Sequence, residues 1–215
     1  MDFLEKYGIF LKDKKTLETA LTHTSYANEH KCESYERLEF LGDAVLELAT
    51  SEYFYENYDY QEGKMTKTRS RYVCEHALYE YAKVVGFIPL IKVGNGQIHN
   101  VNETIIADVF EAILGAIFLE LGYAKARDYV LSIIKPFIEA NIDLYSDYKS
   151  LLQELVQTGK KSLEYKLIKE TGPAHDKTYV VEVSIDGITY GVGSGKSKKE
   201  AEQHAALDAY KKSVK

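Results

Sequence analysis

Four carboxylates lie at spacings of three, four and four on the stretch ERLEFLGDAVLEL: Glu36, Glu39, Asp43 and Glu47. On an α-helix those spacings set all four along one face. Nearly every other position is apolar (Leu38, Phe40, Leu41, Ala44, Val45, Leu46, Leu48), which predicts a buried helix rather than a surface one. Acids four residues apart repel by about 0.2–0.5 kcal/mol per pair, and a buried carboxylate without a partner costs several times more. A positive counterpart is therefore expected against the stripe. A bound cation is the sharp alternative; Lys/Arg partners in the core, or a solvated cleft, are the plain ones.

The same puzzle recurs in ETIIADVFEAILGAIFLELG, where Asp108 and Glu111 are the only charges between Thr104 and Leu119 and stand three apart, on one helical face. Asn102 is a good N-cap for this helix. Gly42 and Gly115 fall in mid-helix, at a cost of about 1 kcal/mol each relative to Ala; a glycine tolerated there lets another backbone come close. Packing the two helices together accounts for both features and brings Glu39, Asp43, Asp108 and Glu111 into one cluster. Four carboxylates without His or Cys form a hard-oxygen site, suited to Mg²⁺ or Mn²⁺ and not to Zn²⁺. Mg²⁺ keeps waters and binds through a few carboxylates plus substrate phosphates, which points to phosphodiester hydrolysis by a metal-activated water. The competing reading is a structural acidic network. Glu47 reads as ordinary surface, and Glu36 as an ion-pair partner nearby or across an interface.

The elements that must position these groups belong to a chain of 215 residues, 45% hydrophobic and 28% charged, ordinary for a globular protein of one or two domains. Two cysteines, Cys32 and Cys74, make no disulfide framework and fit a reducing compartment. The N-terminal MDFLEKYGIF is not a signal peptide, and Ile105–Leu119 is too short to span a bilayer; no membrane association is expected. The net charge of −6 argues weakly against nucleic acid, but its distribution says more. Residues 147–215 carry 12 Lys+Arg against 10 Asp+Glu, a net of +2, whereas residues 1–146 carry 15 against 23, a net of −8. This asymmetry predicts two domains with different work.

Read in order, Asp2–Tyr7 and Leu17–Leu21 are predicted short helices, with KDKK (Lys12–Lys15) as a loop between them. His23, among Ser25 and Asn28, reads as a hydrogen-bonded anchor rather than a catalyst. The central helix spans roughly Tyr35–Tyr58 and a second one Lys64–Val84, ended by Gly86 and Pro89. Lys67, Arg69 and Arg71 at its basic start are either solvated or set against a polyanion. Gly94–Gly96 is a turn, Ala124–Ala140 a further helix, and Asn141–Ser146 a linker. The C-terminal third reads helix (Tyr148–Thr158), three strands (Leu163–Lys169, Thr178–Ile185, Ile188–Val192) and helix (Ser197–Tyr210), with Asp186-Gly187 as a hairpin turn.

ERLEFLGDAVL resembles the signature of the ribonuclease III family. LTHTSYANEH, EGKMTKTR and NETIIADVFEAILGAIFL resemble family blocks in the family's order, and DYKSLLQELVQ, ETGPAHDKTYVVEV and GKSKKEAEQHAA resemble a double-stranded-RNA-binding domain. The resemblance covers nearly the whole chain. It implies an all-α endonuclease domain (1–143), a linker (144–146) and a small α+β domain of order α-β-β-β-α (147–215). It also implies a homodimer in the cytoplasm that hydrolyses both strands of duplex RNA in the processing of rRNA precursors and mRNA. Its products carry 5′-phosphate and 3′-hydroxyl ends with a two-nucleotide 3′ overhang, and it needs Mg²⁺, which Mn²⁺ can replace, but no small-molecule cofactor. Carried onto this sequence, the metal ligands are Glu39, Asp43, Asp108 and Glu111, with Asp43 and Glu111 catalytic; Glu36 and Glu62 match auxiliary acids near the site or the dimer interface. Gln97 stands where some relatives carry Glu.

Duplex RNA offers shape, 2′-hydroxyls and phosphates rather than base edges. Lys196, Lys198 and Lys199, at the start of the last predicted helix where the dipole also favours anions, are suited to phosphates, and the flanking Gly193 and Gly195 favour the same reading. By resemblance, Ser150, Gln153 and Gln157 touch 2′-hydroxyls and His175, in the Gly172-Pro173-Ala174-His175 loop, enters the minor groove. Two rival classes are a duplex-RNA-binding protein with an inert nuclease scaffold and a phosphohydrolase for small phosphates. Acids kept at all four positions speak against the first, and the basic C-terminal domain against the second.

Overall fold

The structure, a computed structural model, describes residues 2–213 apart from 99, 143, 145–147, 160 and 174–176. The chain forms two compact units, Met1–Tyr145 and Ser146–Lys215. The first is built of helices: α1 (Asp2–Glu5), α2 (Lys14–Ala20), α3 (Thr24–His30), α4 (Glu36–Asn57), α5 (Glu62–Tyr72), α6 (Glu75–Val85), a 3₁₀ turn at Ile88–Leu90, and α7 (Glu103–Glu139).

Helix α7 is the hydrophobic axis of this unit. Val109, Phe110 and Ala112–Ile117 are completely or almost completely buried, so the rule that an all-round apolar helix is a core helix holds for it. It does not hold for α4. Leu38, Val45, Leu46, Ala49 and Phe54 face the core, but Phe40 is 82% exposed, Leu48 56% and Tyr55 79%. The expectation of a buried central helix is corrected: the apolar residues of α4 form two faces, and the chain by itself covers one. Asn102 caps α7 by accepting from the Ile105 N–H at 3.1 Å. Gly122 (φ 79°, ψ 174°) then breaks the helix, which separates the expected segment over Ala124–Ala140.

Three local expectations change. Lys14 and Lys15 open α2 rather than lying in a loop, because the Asp13 carboxylate accepts from the Lys15 N–H at 2.9 Å. Residues Thr24–His30 form a helix of their own, capped by His23, whose Nδ1 accepts from the Ser25 N–H at 3.1 Å. The single helix expected over Lys64–Val84 is two, with Cys74 extended (φ −77°, ψ 158°) at the start of α6. Neither Gly nor Pro marks that break in RYVCEH. Gly86 (φ 86°) ends α6 as expected.

The second unit is α8 (Tyr148–Thr158), the antiparallel sheet β1 (Leu163–Thr171), β2 (Thr178–Ile185), β3 (Ile188–Gly195) in sequence order, and α9 (Lys198–Ser213). Asp186 and Gly187 both have positive φ, 50° and 78°, as a two-residue hairpin demands. Ala201, Ala205, Ala206 and Ala209 of α9 are fully buried. A Cβ on Gly191, Gly193 or Gly195 would collide with this helix, so the alternating glycines let α9 lie directly on β3. That is their role; phosphate binding is not needed to explain Gly193 and Gly195. No helix among the described residues is long and apolar enough to cross a membrane.

Candidate active site and RNA-facing surface

The crossing of α4 and α7 is set by its glycines. A Cβ on Gly42 would fall onto the carbonyl oxygen of Glu111, and one on Gly115 onto the carbonyl of Leu38. Backbone therefore rests on backbone, beside Asp43, Glu111 and Glu39. The gap left by two missing methyl groups fixes how closely the acids of one helix face those of the other.

Glu39, Asp108 and Glu111 are half-buried and Asp43 is exposed, so the group lies at the edge of the α4–α7 contact and within reach of solvent. Burial, followed by the charges of Asp43, Glu39 and Asp108, pushes the Glu111 carboxyl up to about 8. Burial first, then Asp108, Glu36 and Asp43, raises Glu39. Asp108 is raised mainly by burial, against a hydrogen bond from Tyr35 that favours its ionised form. Mutual influence of this kind requires proximity. No Lys or Arg pairs with these four acids among the described residues. The plain alternative of basic partners in the core is thus absent, and the arrangement suits a hard divalent cation. Among the described residues no three Asp, Glu, His or Cys side chains converge as a ready-made cage. A cation that keeps most of its waters needs only one or two direct carboxylates.

The other candidate residues are placed differently. Exposed Glu36 accepts from the Ser34 hydroxyl at 2.9 Å and makes no ion pair among the described residues. Glu62, in the first turn of α5, accepts from the Thr66 hydroxyl at 3.2 Å and is not among the charges that raise Glu39, Asp108 or Glu111. Glu47 is more than surface: it pairs with Arg69 Nε at 2.7 Å and contributes to the field on Glu111. Arg69 also donates to the Ser51 hydroxyl at 2.8 Å, so it is tied to α4 and not offered to a polyanion. Gln97 holds its own turn, its side-chain amide donating to the Asn100 carbonyl at 2.9 Å. Unexpected from sequence is Tyr35, 4% exposed, whose hydroxyl donates to Asp108 Oδ2 at 2.9 Å. Burial and that hydrogen bond raise the phenol's pKa, so it stays protonated.

In the second unit, Ser150, Gln153 and Gln157 share the exposed face of α8. Ser150 and Gln153 line a shallow groove with Lys149, Glu154 and Tyr165. Lys196, Lys198 and Lys199 are exposed around the start of α9. The helix end itself is already served: Ser197 Oγ accepts from the Glu200 N–H at 3.1 Å, and the Glu200 carboxylate accepts from the Lys196 N–H at 2.6 Å. The chain's own serine and carboxylate thus occupy this helix start, and the three lysine side chains stand exposed around it. His175 lies outside the described residues.

A helical unit with carboxylates on two crossed helices, followed by an α-β-β-β-α unit with exposed lysines, has the architecture of a nuclease with an appended RNA-binding module. Comparison with known proteins agrees. Residues 13–137 match the Ribonuclease-III-like family and residues 148–213 the double-stranded RNA binding motif. Ribonuclease 3 of Streptococcus pneumoniae strains CGSP14 and 70585 is 46% identical over 217 residues, covering 97% of this chain and 94% of theirs. A solved nuclease domain of ribonuclease III from Campylobacter jejuni is 35% identical, with a TM-score of 0.58, over 62% of this chain and 94% of that one. The chain belongs to the ribonuclease III family.

Proposed function

We propose that residues 1–143 are the catalytic domain of a double-stranded-RNA endoribonuclease, that residues 147–215 hold the duplex, and that residues 144–146 link them. The observation that carries this reading is the set of four acids on α4 and α7 without basic partners among the described residues, in a chain that also carries a double-stranded RNA binding motif. Glu39, Asp43, Asp108 and Glu111 hold Mg²⁺, with Mn²⁺ able to substitute, and Asp43 and Glu111 stand nearest the chemistry. A divalent cation held by these four carboxylates would supply a water of lowered pKa and offset charge on the phosphate. The protein supplies ionised oxygens on two helices locked at one spacing by Gly42 and Gly115, which removes the need to reorganise them during the reaction. Glu111, held partly protonated near neutral pH in the free protein, must give up its proton to ligate. Glu36 and Glu62 are auxiliary.

The protein acts as a cytoplasmic homodimer. The exposed stripe of Phe40, Leu48 and Tyr55 on α4 adjoins a groove lined by Phe54, Tyr55, Glu62, Met65 and Arg69, and apolar surface of this kind marks an interface. The Campylobacter jejuni nuclease domain has a region involved in dimer formation. Ser150, Gln153, Gln157 and His175 contact the shallow groove of the duplex, and Lys196, Lys198 and Lys199 its phosphates. The products carry 5′-phosphate and 3′-hydroxyl ends with a two-nucleotide 3′ overhang, and the substrates include rRNA precursors and mRNA.

The test is incubation with a fully paired RNA duplex in Mg²⁺ and in EDTA, followed by end-group analysis. Cleavage in Mg²⁺ alone with those ends supports the reading. Cutting that persists in EDTA, or products with 3′-phosphates, would overturn it.

A further inference from the structure

Tyr35 is fixed on several sides before its hydroxyl reaches the acid cluster. Its backbone N–H donates to the Thr22 carbonyl at 2.9 Å, and its own carbonyl accepts from Leu38 and Glu39 at 2.8 and 2.9 Å. Its ring centre lies 5.7 Å from that of His23. The segment beneath is braced as well: Thr22 bridges to Lys92, the His23 N–H donates to the Lys92 carbonyl at 2.9 Å, and His23 caps α3. A phenylalanine would satisfy every one of these packing constraints. The hydroxyl alone adds something, namely the 2.9 Å bond to Asp108 Oδ2. A buried tyrosine hydroxyl normally finds a partner; here the partner is an acid of the cation cluster.

We infer that Tyr35 is a positioning residue for the divalent cation, orienting the Asp108 carboxylate by occupying Oδ2 while Oδ1 remains available to ligate. The inference rests on the ligand set proposed above. A carboxylate has two oxygens and several lone pairs, so one donor fixes its plane without exhausting its capacity. A ligand held this way needs no reorientation when the ion arrives, and outer partners of metal ligands typically contribute 10–100-fold to affinity or activity. The donor comes from the first residue of the α4 junction and the acceptor from α7, 73 positions away. The bond therefore also couples Glu39, whose N–H is held by the Tyr35 carbonyl, to Asp108.

The test measures Mn²⁺ binding to the full-length protein without RNA, by calorimetry or by the electron paramagnetic resonance of free Mn²⁺. Tyr35→Phe is expected to weaken Mn²⁺ binding by about 10-fold and to raise the Mg²⁺ concentration for half-maximal cleavage by a similar factor. Duplex binding in EDTA should stay near wild type. Asp108→Ala with and without Tyr35→Phe completes a cycle. If Tyr35 acts through Asp108, adding Tyr35→Phe to Asp108→Ala changes affinity no further. An equal loss in both backgrounds would mean a general structural effect and overturns the inference, as does unchanged Mn²⁺ binding in Tyr35→Phe while Asp108→Ala and Glu111→Gln weaken it. Unchanged binding in Asp108→Ala and Glu111→Gln would instead overturn the ligand set itself. If Tyr35→Phe unfolds, titration of the wild type, labelled with ¹³C at the tyrosine ring, with diamagnetic Mg²⁺ decides the matter: a Tyr35 signal that does not shift counts against the inference.

Discussion

Two of the carboxylate groups on helices α4 and α7 differ in what surrounds them. At Glu52 and Glu56 every acid has a partner. Arg127 donates to Glu52 at 2.6 Å and to Glu56 at 3.0 Å, and the Tyr123 hydroxyl donates to Glu52 at 2.7 Å. The hydrogen bonds from Tyr123 and Arg127 hold Glu52 below the usual carboxylate range. At Glu39, Asp43, Asp108 and Glu111 no cation from the described protein intervenes, and burial drives Glu111 the other way, to about 8. One helix pair thus contains one carboxylate group with a built-in guanidinium and another with no cationic side chain from the described residues. Acid spacing alone therefore does not tell a metal site from an ion-paired one; the presence or absence of an internal partner separates these two groups.

Glu111→Gln puts the most strain on this contrast. Loss of one ligand should reduce Mg²⁺-dependent cleavage by about 10³-fold, several kcal/mol of transition-state stabilisation, while gel-shift affinity for duplex RNA in EDTA stays unchanged. Cleavage at the wild-type rate sinks the assignment. Gly42→Ala tests the spacing: a methyl group pressed onto the Glu111 carbonyl forces the helices apart, at a cost of about 1–3 kcal/mol, and both the melting temperature and cleavage should fall. A third probe is pH. In EDTA the folded protein keeps the Glu111 proton that the unfolded chain loses near the ordinary glutamate value of 4.5. More protons are bound in the native state, so stability falls as pH rises from about 4.5 to about 8. Glu111→Gln removes this component, and chemical denaturation across that range reads it; equal slopes for the two proteins would refute it. Glu52 works in the opposite sense, its contribution lost as pH falls. The smallest effect belongs to Arg127→Ala, because exposed ion pairs contribute little. It should lower the melting temperature slightly and leave Mn²⁺ affinity untouched, and any marked loss of affinity would show that the two carboxylate groups are not independent.

Much of the fold is legible in the sequence because local rules decide it. The periods of α4 and α7, the Asn102 cap, the Asp186-Gly187 hairpin and the three strands follow from short-range chemistry. The four acids stand out because the helical period alone places each pair on one face, and two mid-helix glycines tell which faces meet. Tyr35 leaves no such trace: nothing in YERLEF announces a hydrogen bond to a residue 73 positions on. Phe40 and Leu48 read as core because periodicity distinguishes apolar from polar faces, not a buried apolar face from an exposed one. The α5–α6 break is invisible because ordinary residues make it. Gly193 and Gly195 point to a ligand only until α9 is seen lying on them.

The bond from Tyr35 to Asp108 has a consequence in time as well as in space. It closes a loop of 73 residues, and such closures are paid for late in folding, after local helices and turns have formed. A nascent chain that has emerged only through α6 holds Glu39 and Asp43 but neither Asp108 nor Glu111, and its helices can form without any cation site between them. Assembly of the proposed cation site therefore waits for α7, the last helix of the first unit.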